Sequence, residues 1–347
     1  MKKRPTQFDV ARKAGVSRST VSFVLNDKTG GNVPISDETR QRVLKAIDEL
    51  GYVPDARARA LRSGDTNTIG LIIPDIRNPH FWETAEGVEQ EARNAGYHLL
   101  VSNIALKHEY ANDIFNDLIH RRIDGLILMG SFTVASEKAR SSLKKYFKQR
   151  LPIVELSDHY SVHYEVDRVS SNYFATTMEA MSYLLSLNHH RIGLLFGIDV
   201  PELAEDRFKA YKQSLLMADM PVDEELIIQA GPTIEDGYQA MSRFLQMPNR
   251  PTAIIAVNDL LAMGAIRATT DAGLKIPEDI SLVGYDDIAM ATYMVPRLTT
   301  VSKDVETLGR NAVQLLISRL QEPDRPCQIK ESLPKFIIRE STGPAPS

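Results

Sequence analysis

The stretch Phe8-Asp-Val-Ala-Arg-Lys-Ala-Gly-Val-Ser-Arg-Ser-Thr-Val-Ser-Phe-Val-Leu-Asn26 predicts two short helices joined by a tight turn. Ala11 is small enough to let a second helix cross close by, and Gly15 suits the positive φ of a sharp helix exit. Val21 falls where the second helix needs an apolar residue against the first. The pattern predicts a helix-turn-helix, whose second helix enters the DNA major groove. The same spacing also fits an ordinary antiparallel helix pair.

Polar residues mark where these helices begin. Thr6 and Asp9 can form a capping box on the first helix, and Ser17 can cap the second. Further along, Ser36 can cap a third helix that Gly51 closes. We expect the apolar face of this third helix to complete a small core with Val43, Leu44, Ile47 and Leu50.

A short basic segment follows the three helices, Asp55-Ala-Arg-Ala-Arg-Ala-Leu-Arg62. Its residues favour a helix, but the segment is too short to form a stable helix in isolation. Leu61 is its one large apolar residue. We therefore expect this segment to be disordered alone and to become ordered on an anion-rich partner.

Charge is distributed unevenly along the chain of 347 residues, whose formal net charge is −4. Residues 1–65 hold 13 Lys and Arg against 8 Asp and Glu, a net charge of +5. The remaining residues hold 28 against 37, a net charge of −9. A basic N-terminal segment on an acidic body is typical of a nucleic-acid-binding protein.

From residue 68 onward, short aliphatic runs alternate with amphipathic helices. This alternation predicts parallel sheets with right-handed crossovers. Ligands of such sheets bind beyond the carboxyl ends of the strands, where we place the default site. The predicted strands are 69–73, 98–102, 125–129, 153–156, 192–196, 253–257 and 281–284. The predicted helices begin near His80, Tyr110, Glu137, Ser171, Glu205, Ile234, Asp259 and Asp304.

Over nearly all of its length, the chain resembles the LacI family of bacterial transcriptional regulators. The N-terminal markers are Asp9-Val-Ala11, Ala14-Gly-Val-Ser17, Thr20-Val-Ser22, Val24-Leu-Asn26, Thr39-Arg40, Arg42-Val43, Leu50-Gly-Tyr52 and the segment from Ala56 to Leu61. The later markers are Ile69-Gly-Leu-Ile, Asn78-Pro79, Asn258-Asp259, Gly284-Tyr-Asp-Asp287, Leu298-Thr-Thr300, Leu308-Gly309 and Arg339-Glu-Ser341.

The resemblance implies an all-α helix-turn-helix head with a hinge helix, followed by an α/β body of two lobes that resembles periplasmic binding proteins. We expect a DNA-binding domain at 1–54, a hinge helix and linker at 55–67, and an effector-binding and dimerisation domain at 68–343. In that last domain we expect lobe one at 68–160 with 290–321, and lobe two at 161–289 with 322–343.

For DNA binding, the resemblance places Arg18, Ser19 and Phe23 at positions that face base edges. Arg18 could pair with guanine through two hydrogen bonds. Phe23 departs from the arginine of many relatives: its ring could meet a thymine methyl or, as we favour, pack inward. Leu61 matches a wedge that kinks the duplex, and Ala58 a small residue where two hinge helices approach. The full set of predicted DNA contacts is Thr6, Ser17, Arg18, Ser19, Thr20, Ser22, Phe23, Asn26, Arg57, Ala58 and Leu61.

For the effector, the resemblance implies that Arg207 and Asp286 contact the ligand. Trp82, the only tryptophan, can pack within a lobe or stack on a ligand ring. Asn258 can serve as a pocket amide or as a helix cap. Ser157 stands where several sugar-responsive relatives carry an acid, which weakens the case for a simple sugar. The full set of predicted effector contacts is Asp75, His80, Phe81, Trp82, Arg207, Asn258 and Asp286.

Other functional classes have little support in the sequence. It lacks GxGxxG, GxxxxGK[ST], HExxH and GxSxG, and the single Cys327 excludes an intramolecular disulfide and a cysteine zinc site. We therefore expect no catalytic activity, cofactor or metal. No apolar run is long enough to cross a membrane, and no signal peptide begins the chain, so we expect a cytoplasmic protein. The alternatives are a solute-binding protein of the sugar-uptake type and a nucleotide- or sugar-processing enzyme on the same scaffold.

The expected partners are double-stranded operator DNA, a small effector and a second copy of the chain. The effector would be a sugar, a sugar phosphate or a purine-like metabolite. Two heads of a homodimer would occupy the half-sites of a near-palindrome. The chain ends in Thr342-Gly-Pro-Ala-Pro-Ser347 without a heptad pattern, so we expect a dimer without a tetramerisation helix.

Overall fold

The computed structural model describes residues 5–25, 35–53, 66–105, 107, 110–130, 141, 151–157, 166–197 and 205–346. The chain divides into two compact units, Met1–Thr66 and Asn67–Ser347, which we call the head and the body. No helix in the described residues is long and apolar enough to cross a membrane.

The head contains three helices, α1 (Gln7–Ala14), α2 (Arg18–Leu25) and α3 (Asp37–Leu50). Gly15 ends α1 with φ 66°, a left-handed conformation that glycine adopts without a Cβ clash, so the expected sharp turn is confirmed. Ala11 and Val21 are buried in the shared core, as their spacing predicts.

The predicted caps of the head are present. Thr6 forms a capping box with Asp9, in which the backbone N–H of Thr6 donates to the Asp9 carboxylate at 2.9 Å. Ser36 caps α3, and Gly51 closes it with φ 58°. One core residue was predicted wrongly: Leu44 is 44% exposed, and Ala46 is buried instead. Helix geometry explains the difference, because positions 43, 46, 47 and 50 share one face of α3 whereas position 44 lies off it.

The body is built from parallel sheets covered by helices. Its strands are β1 (Thr68–Ile73), β2 (His98–Asn103), β3 (Gly125–Met129), β4 (Ile153–Leu156), β5 (Asp167–Ser171), β6 (Ile192–Phe196), β7 (Ile227–Gln229), β8 (Ala253–Ala256), β9 (Ser281–Asp286), β10 (Thr299–Ser302), β11 (Ile329–Ser332) and β12 (Lys335–Ile337). Its helices in the described residues are α4 (Pro79–Asn94), α5 (Ala111–His120), α6 (Tyr173–Ser186), α7 (Glu205–Met217), α8 (Ile234–Leu245), α9 (Asp259–Asp271) and α10 (Val305–Gln321). Single turns of 3-10 helix lie at Glu224–Leu226 and Ala289–Thr292.

Two six-stranded sheets define the two lobes. The order in lobe one is β11-β5-β4-β3-β1-β2, and the order in lobe two is β12-β10-β9-β8-β6-β7. Among the described residues, every strand pair is parallel except β10 with β12. In each sheet, the strand order reverses between the second and third strands from one edge, and ligands bind at the carboxyl ends beside such a reversal.

The expected lobe boundaries are wrong at three strands. β5 and β11 belong to the sheet of lobe one, and β10 belongs to that of lobe two. Strand pairing decides this, because Asp167 of β5 pairs with Val154 of β4 and Thr299 of β10 pairs with Val283 of β9. The chain therefore crosses between lobes after β5, after β10 and after β11.

Close helix packing stabilises lobe one, where α4 and α10 lie against each other. A Cβ on Gly309 would come within 2.5 Å of the backbone nitrogen of Val88, so only glycine permits this approach. The buried aliphatic residues of β1, β3 and β4 pack beneath these helices, while a larger cluster fills lobe two.

Candidate functional sites

The outer surface of α2 carries a row of small hydroxyl side chains. Ser17 caps the helix by accepting a hydrogen bond from the backbone N–H of Thr20 at 3.1 Å. Its hydroxyl also lies 2.7 Å from that of Ser19 and 2.8 Å from that of Thr20. Arg18 is exposed, and its Nε donates to Gln7 on α1 at 3.4 Å. These exposed donors and acceptors could meet phosphates and base edges.

Phe23 lies on the outside of α2 and is 40% exposed. Our expectation that its ring packs inward is therefore wrong. The helix period explains the result, because Val21 and Val24 occupy the face toward the core and position 23 lies off that face.

The other predicted DNA contacts lie in several places. Thr6 caps α1 and is exposed, and Ser22 is half-buried on α2. Asn26, Arg57, Ala58 and Leu61 lie outside the described residues, so their predicted roles stay predictions.

In the body, five side chains from both lobes converge, and we call them the interlobe site: His80, Tyr173, Arg207, Asp286 and Lys303. His80 lies in the first turn of α4, and Asp286 is the last residue of β9. Nδ1 of His80 is 3.8 Å from Oδ1 of Asp286, and both side chains are largely buried. Two residues predicted separately, one from each lobe, are thus brought together.

The ring of Tyr173 contacts both cations of the interlobe site. The guanidinium carbon of Arg207 lies 4.1 Å from the centre of its ring, and Nζ of Lys303 lies 4.6 Å from that centre. Tyr285 contacts the Tyr173 ring edge-on, with 5.7 Å between ring centres. Cations at such distances are attracted to the ring quadrupole. Our prediction from the sequence missed Tyr173 and Lys303, which follow β5 and β10 at two crossovers between the lobes.

Three buried polar atoms of the interlobe site have no hydrogen-bond partner among the described residues. They are Nδ1 of His80, the hydroxyl of Tyr173 and Nε of Arg207. The three residues are 7%, 1% and 7% exposed, respectively. A buried polar atom without a partner costs free energy, on the order of 1–3 kcal/mol. Such atoms are rare in native proteins, so three in one place make this a candidate binding site for a polar ligand.

Burial lowers the pKa of His80 well below its usual value of 6.5, and the positive charges of Lys303 and Arg207 lower that pKa further. His80 is therefore neutral at physiological pH. A neutral imidazole has one donor and one acceptor nitrogen. It can accordingly hydrogen-bond a ligand hydroxyl or amine without adding charge.

The backbone presents Asp286 at an unusual turn. Asp286 has φ 103° and Asp287 has φ 53°, a region that residues with a Cβ rarely adopt. Asp287 is held by Arg339, whose Nη2 donates to Oδ1 at 2.6 Å. Such strained conformations persist where the surrounding structure holds them, and they are common at ligand sites.

Two more predicted effector contacts, Asp75 and Asn258, form hydrogen bonds within the protein. Asp75 is buried and accepts two hydrogen bonds of 2.9 Å from Arg77. Asn258 caps α9 by accepting from the N–H of Leu261 at 2.7 Å, and its Nδ2 donates to the carbonyl of Pro232 at 3.3 Å.

Two aromatic candidates on α4 differ in burial. Phe81 packs against the core of lobe one and meets His80 edge-on, with 5.3 Å between ring centres. Trp82 is 49% exposed.

Among the described residues, no group of three or more His, Cys, Asp or Glu side chains could hold a metal ion.

Comparison with known families finds two matches, one in the head and one in the body. The family "Bacterial regulatory proteins, lacI family" matches residues 7–55. The family "Periplasmic binding protein-like domain" matches residues 181–342. The first match covers the helix-turn-helix, and the second covers most of lobe two.

Curated relatives are similar over almost the whole chain. The HTH-type transcriptional regulator DegA of Bacillus subtilis is 34% identical over 342 residues, which are 98% of this chain and 99% of DegA. The HTH-type transcriptional repressor PurR of Mannheimia succiniciproducens is 34% identical over 333 residues, 96% of this chain and 97% of PurR.

Solved structures show the same architecture. The lac repressor dimer bound to operator and the anti-inducer ONPF is 26% identical with a TM-score of 0.85, covering 98% of this chain and 100% of that one. A LacI family transcriptional regulator from Enterococcus faecium with bound ribose is 31% identical with a TM-score of 0.71, covering 80% of this chain and 99% of that one.

Proposed function

The chain belongs to the LacI family of bacterial transcriptional regulators, and from this premise we propose that it represses transcription as a homodimer whose operator binding is controlled by a small molecule in the interlobe site. The head binds DNA through its helix-turn-helix, with α2 as the recognition helix. A regulator of this kind acts where chromosomal DNA is, in the cytoplasm.

The observation that carries the effector proposal is the set of unpartnered polar atoms on His80, Tyr173 and Arg207. A ligand that hydrogen-bonds them removes the cost of leaving them unpaired. His80 comes from lobe one and Asp286 from lobe two, so one ligand can contact both lobes at once. It would stabilise one arrangement of the lobes over another, which is what coupling to a second site requires.

Support for the dimer comes from an exposed apolar surface after β9. Met290, Tyr293 and Val295 are 38%, 87% and 91% exposed, respectively. Clustered apolar side chains on a surface mark a site of protein association. A two-fold symmetric dimer would present two heads to the two half-sites of a near-palindrome.

A solute-binding protein of the sugar-uptake type shares the two-lobed body but is not supported. The match over residues 7–55 is to a family of DNA-binding regulators, and both DegA and PurR are transcriptional regulators that align over almost the whole chain. These relatives also argue against the alternative of a sugar- or nucleotide-processing enzyme.

The test is to select an operator from random DNA and to titrate candidate effectors against the complex in a gel shift. Sugars, sugar phosphates, sugar acids and purines are the compounds to screen. At least one should change operator affinity, and Asp286→Ala should weaken the response to that compound at least about tenfold, because it removes a charge-assisted hydrogen bond.

The matched control is Asp271→Ala, which removes an exposed aspartate at the end of α9 that pairs with Arg267. This variant should respond like the wild type. Failure to select any preferred DNA sequence would contradict operator binding, and an unchanged response in Asp286→Ala would exclude that residue from the effector site.

A further inference from the structure

Arg207 is a largely buried arginine whose guanidinium has no acidic partner among the residues that the structure describes. It is 7% exposed, and its Nε is buried without a hydrogen-bond partner among the described residues. Its guanidinium carbon lies 4.1 Å from the centre of the Tyr173 ring and 5.5 Å from the centre of the Tyr285 ring. Buried charges are normally paired, because removing an ion from water is costly. Within the described part of the chain, the buried Nε of Arg207 therefore lacks the partner that its burial calls for.

Lys303 adds a second positive charge to the interlobe site. Nζ of Lys303 lies 4.6 Å from the centre of the Tyr173 ring, so Arg207 and Lys303 both contact this ring. Burial lowers the pKa of His80, and the positive charges of Lys303 and Arg207 lower it further. Among the five residues of the interlobe site, only Asp286 is acidic. With His80 neutral, the five side chains carry more positive than negative charge.

We propose that the effector is a hydroxylated metabolite with an acidic group, a carboxylate or a phosphate, and that this group pairs with Arg207 and Lys303 beside Tyr173. The inference rests on the proposed effector site and adds the class of ligand. Guanidinium binds carboxylate and phosphate through two parallel hydrogen bonds, which suits the unpartnered Nε. The hydroxyl of Tyr173 can donate to the same anion. Asp286 and His80 then face the hydroxyl groups of the ligand.

The first experiment uses inorganic phosphate as the probe and requires no knowledge of the effector. Thermal unfolding of the full chain is measured in sodium phosphate and in sodium chloride at equal ionic strength. Phosphate should raise the Tm of the wild type above its value in chloride, because a ligand that binds the native state stabilises it. Arg207→Gln should lose that difference, and Arg207→Lys should keep part of it because the charge remains.

Lys212→Gln is the matched control. Lys212 lies on the same helix, contacts the ring of Phe208 at 4.3 Å and pairs with Glu224 at 3.2 Å. It therefore shares the charge and the aromatic contact of Arg207 without belonging to the interlobe site. Its phosphate effect should equal that of the wild type. Equal effects of phosphate on all variants, or no effect on the wild type, would overturn the proposal.

The second experiment asks whether the acidic group is a carboxylate or a phosphate. It also tests the class of ligand independently of the proposed function. Calorimetry compares glucose with gluconate and glucose 6-phosphate, and ribose with ribose 5-phosphate. An acidic member should bind about tenfold to hundredfold more tightly than its neutral parent, and Arg207→Gln should abolish that preference. A neutral sugar that binds more tightly than its acidic derivative would overturn the acidic-group inference while leaving effector control intact. Acid binding without any change in operator affinity would instead contradict the proposed function.

Discussion

Phe23 is an apolar side chain on the face of α2 that is turned away from the core of the head. Its ring is 40% exposed in the head. A thymine C5 methyl is the apolar group that the major groove offers to such a ring. We therefore predict that Phe23 contacts one thymine in each half-site. Phe23→Ala should reduce operator affinity about fivefold, for the loss of about 1 kcal/mol of apolar burial.

The measurement is a cycle of gel shifts in which each operator thymine is replaced by uracil, which lacks the methyl group. Wild-type affinity should fall at one position of each half-site, and Phe23→Ala should be insensitive there. Phe8→Ala is the control, because Phe8 is an exposed aromatic on α1 that stacks with Arg12. It should keep the dependence on the methyl group. If no thymine position distinguishes wild type from Phe23→Ala, the contact does not exist.

At the scale of elements, one buried carboxylate joins three pieces of lobe two. Asp259 begins α9 and accepts hydrogen bonds from the hydroxyl of Thr300 in β10 at 2.7 Å and from the N–H of Ile288 at 2.9 Å. Ile288 follows the turn that carries Asp286, so Asp259 helps to hold that turn in place. A Cβ at Gly284 would lie 2.3 Å from its Oδ1, which is why this strand position is glycine.

Burial raises the pKa of Asp259 from 3.8 to about 7, against the lowering effect of its two hydrogen bonds. The folded protein thus retains a proton that the unfolded chain releases above its ordinary pKa. The stabilising contribution is full below pH 3.8 and is lost as pH rises through about 7.

Asp259→Asn should remove this dependence, because its amide can still accept from Ile288 and donate to Thr300. The free energy of unfolding of Asp259→Asn relative to wild type should rise by about 2 kcal/mol between pH 5 and pH 8. Calorimetry of the body transition at several pH values measures this, with the exposed Asp271→Asn as control. Parallel pH profiles of Asp259→Asn and wild type would contradict the assignment.

At the scale of the whole molecule, the exposed surface of Met290, Tyr293 and Val295 should be the dimer contact. Tyr293→Asp places a charge in that contact, and burying an unpaired charge is costly. Light scattering should show a shift from twice the chain mass to the chain mass. Operator affinity should fall because two half-sites are no longer bound together.

Met217→Asp is the control for the dimer test, because Met217 is an equally apolar side chain, 71% exposed at the end of α7. It should leave the mass in solution unchanged. A Tyr293→Asp protein that remains dimeric would place the interface elsewhere.

Local patterns determined most of the secondary structure in advance. The turn at Gly15 and the caps at Thr6 and Ser36 were predictable because they depend on backbone and side-chain geometry within a few residues. All seven predicted strands are present, since each is a run of aliphatic residues. The predicted helix near Glu137 lies outside the described residues.

The sequence pattern did not predict the strands that are polar or very short. β5 contains Asp167 and Arg168, which no strand pattern would place in a core. They are buried because partners distant in sequence reach them: Arg325 lies 2.7 Å from Asp167, and Glu155 lies 3.4 Å from Arg168. Missing β5 and β10 also meant missing Tyr173 and Lys303, which follow those strands.

The family, the DNA-binding head and the candidates Arg207 and Asp286 could be predicted from the sequence, because these depend on motifs that are contiguous or locally spaced. The folded structure was needed to show that Asn258 caps α9 and contacts Pro232, and which side chains share the interlobe site. The physical reason is that periodicity describes a helix or strand alone. Nδ1 of His80 and Oδ1 of Asp286 lie 3.8 Å apart because the chain forms two sheets in two lobes and crosses between the lobes three times.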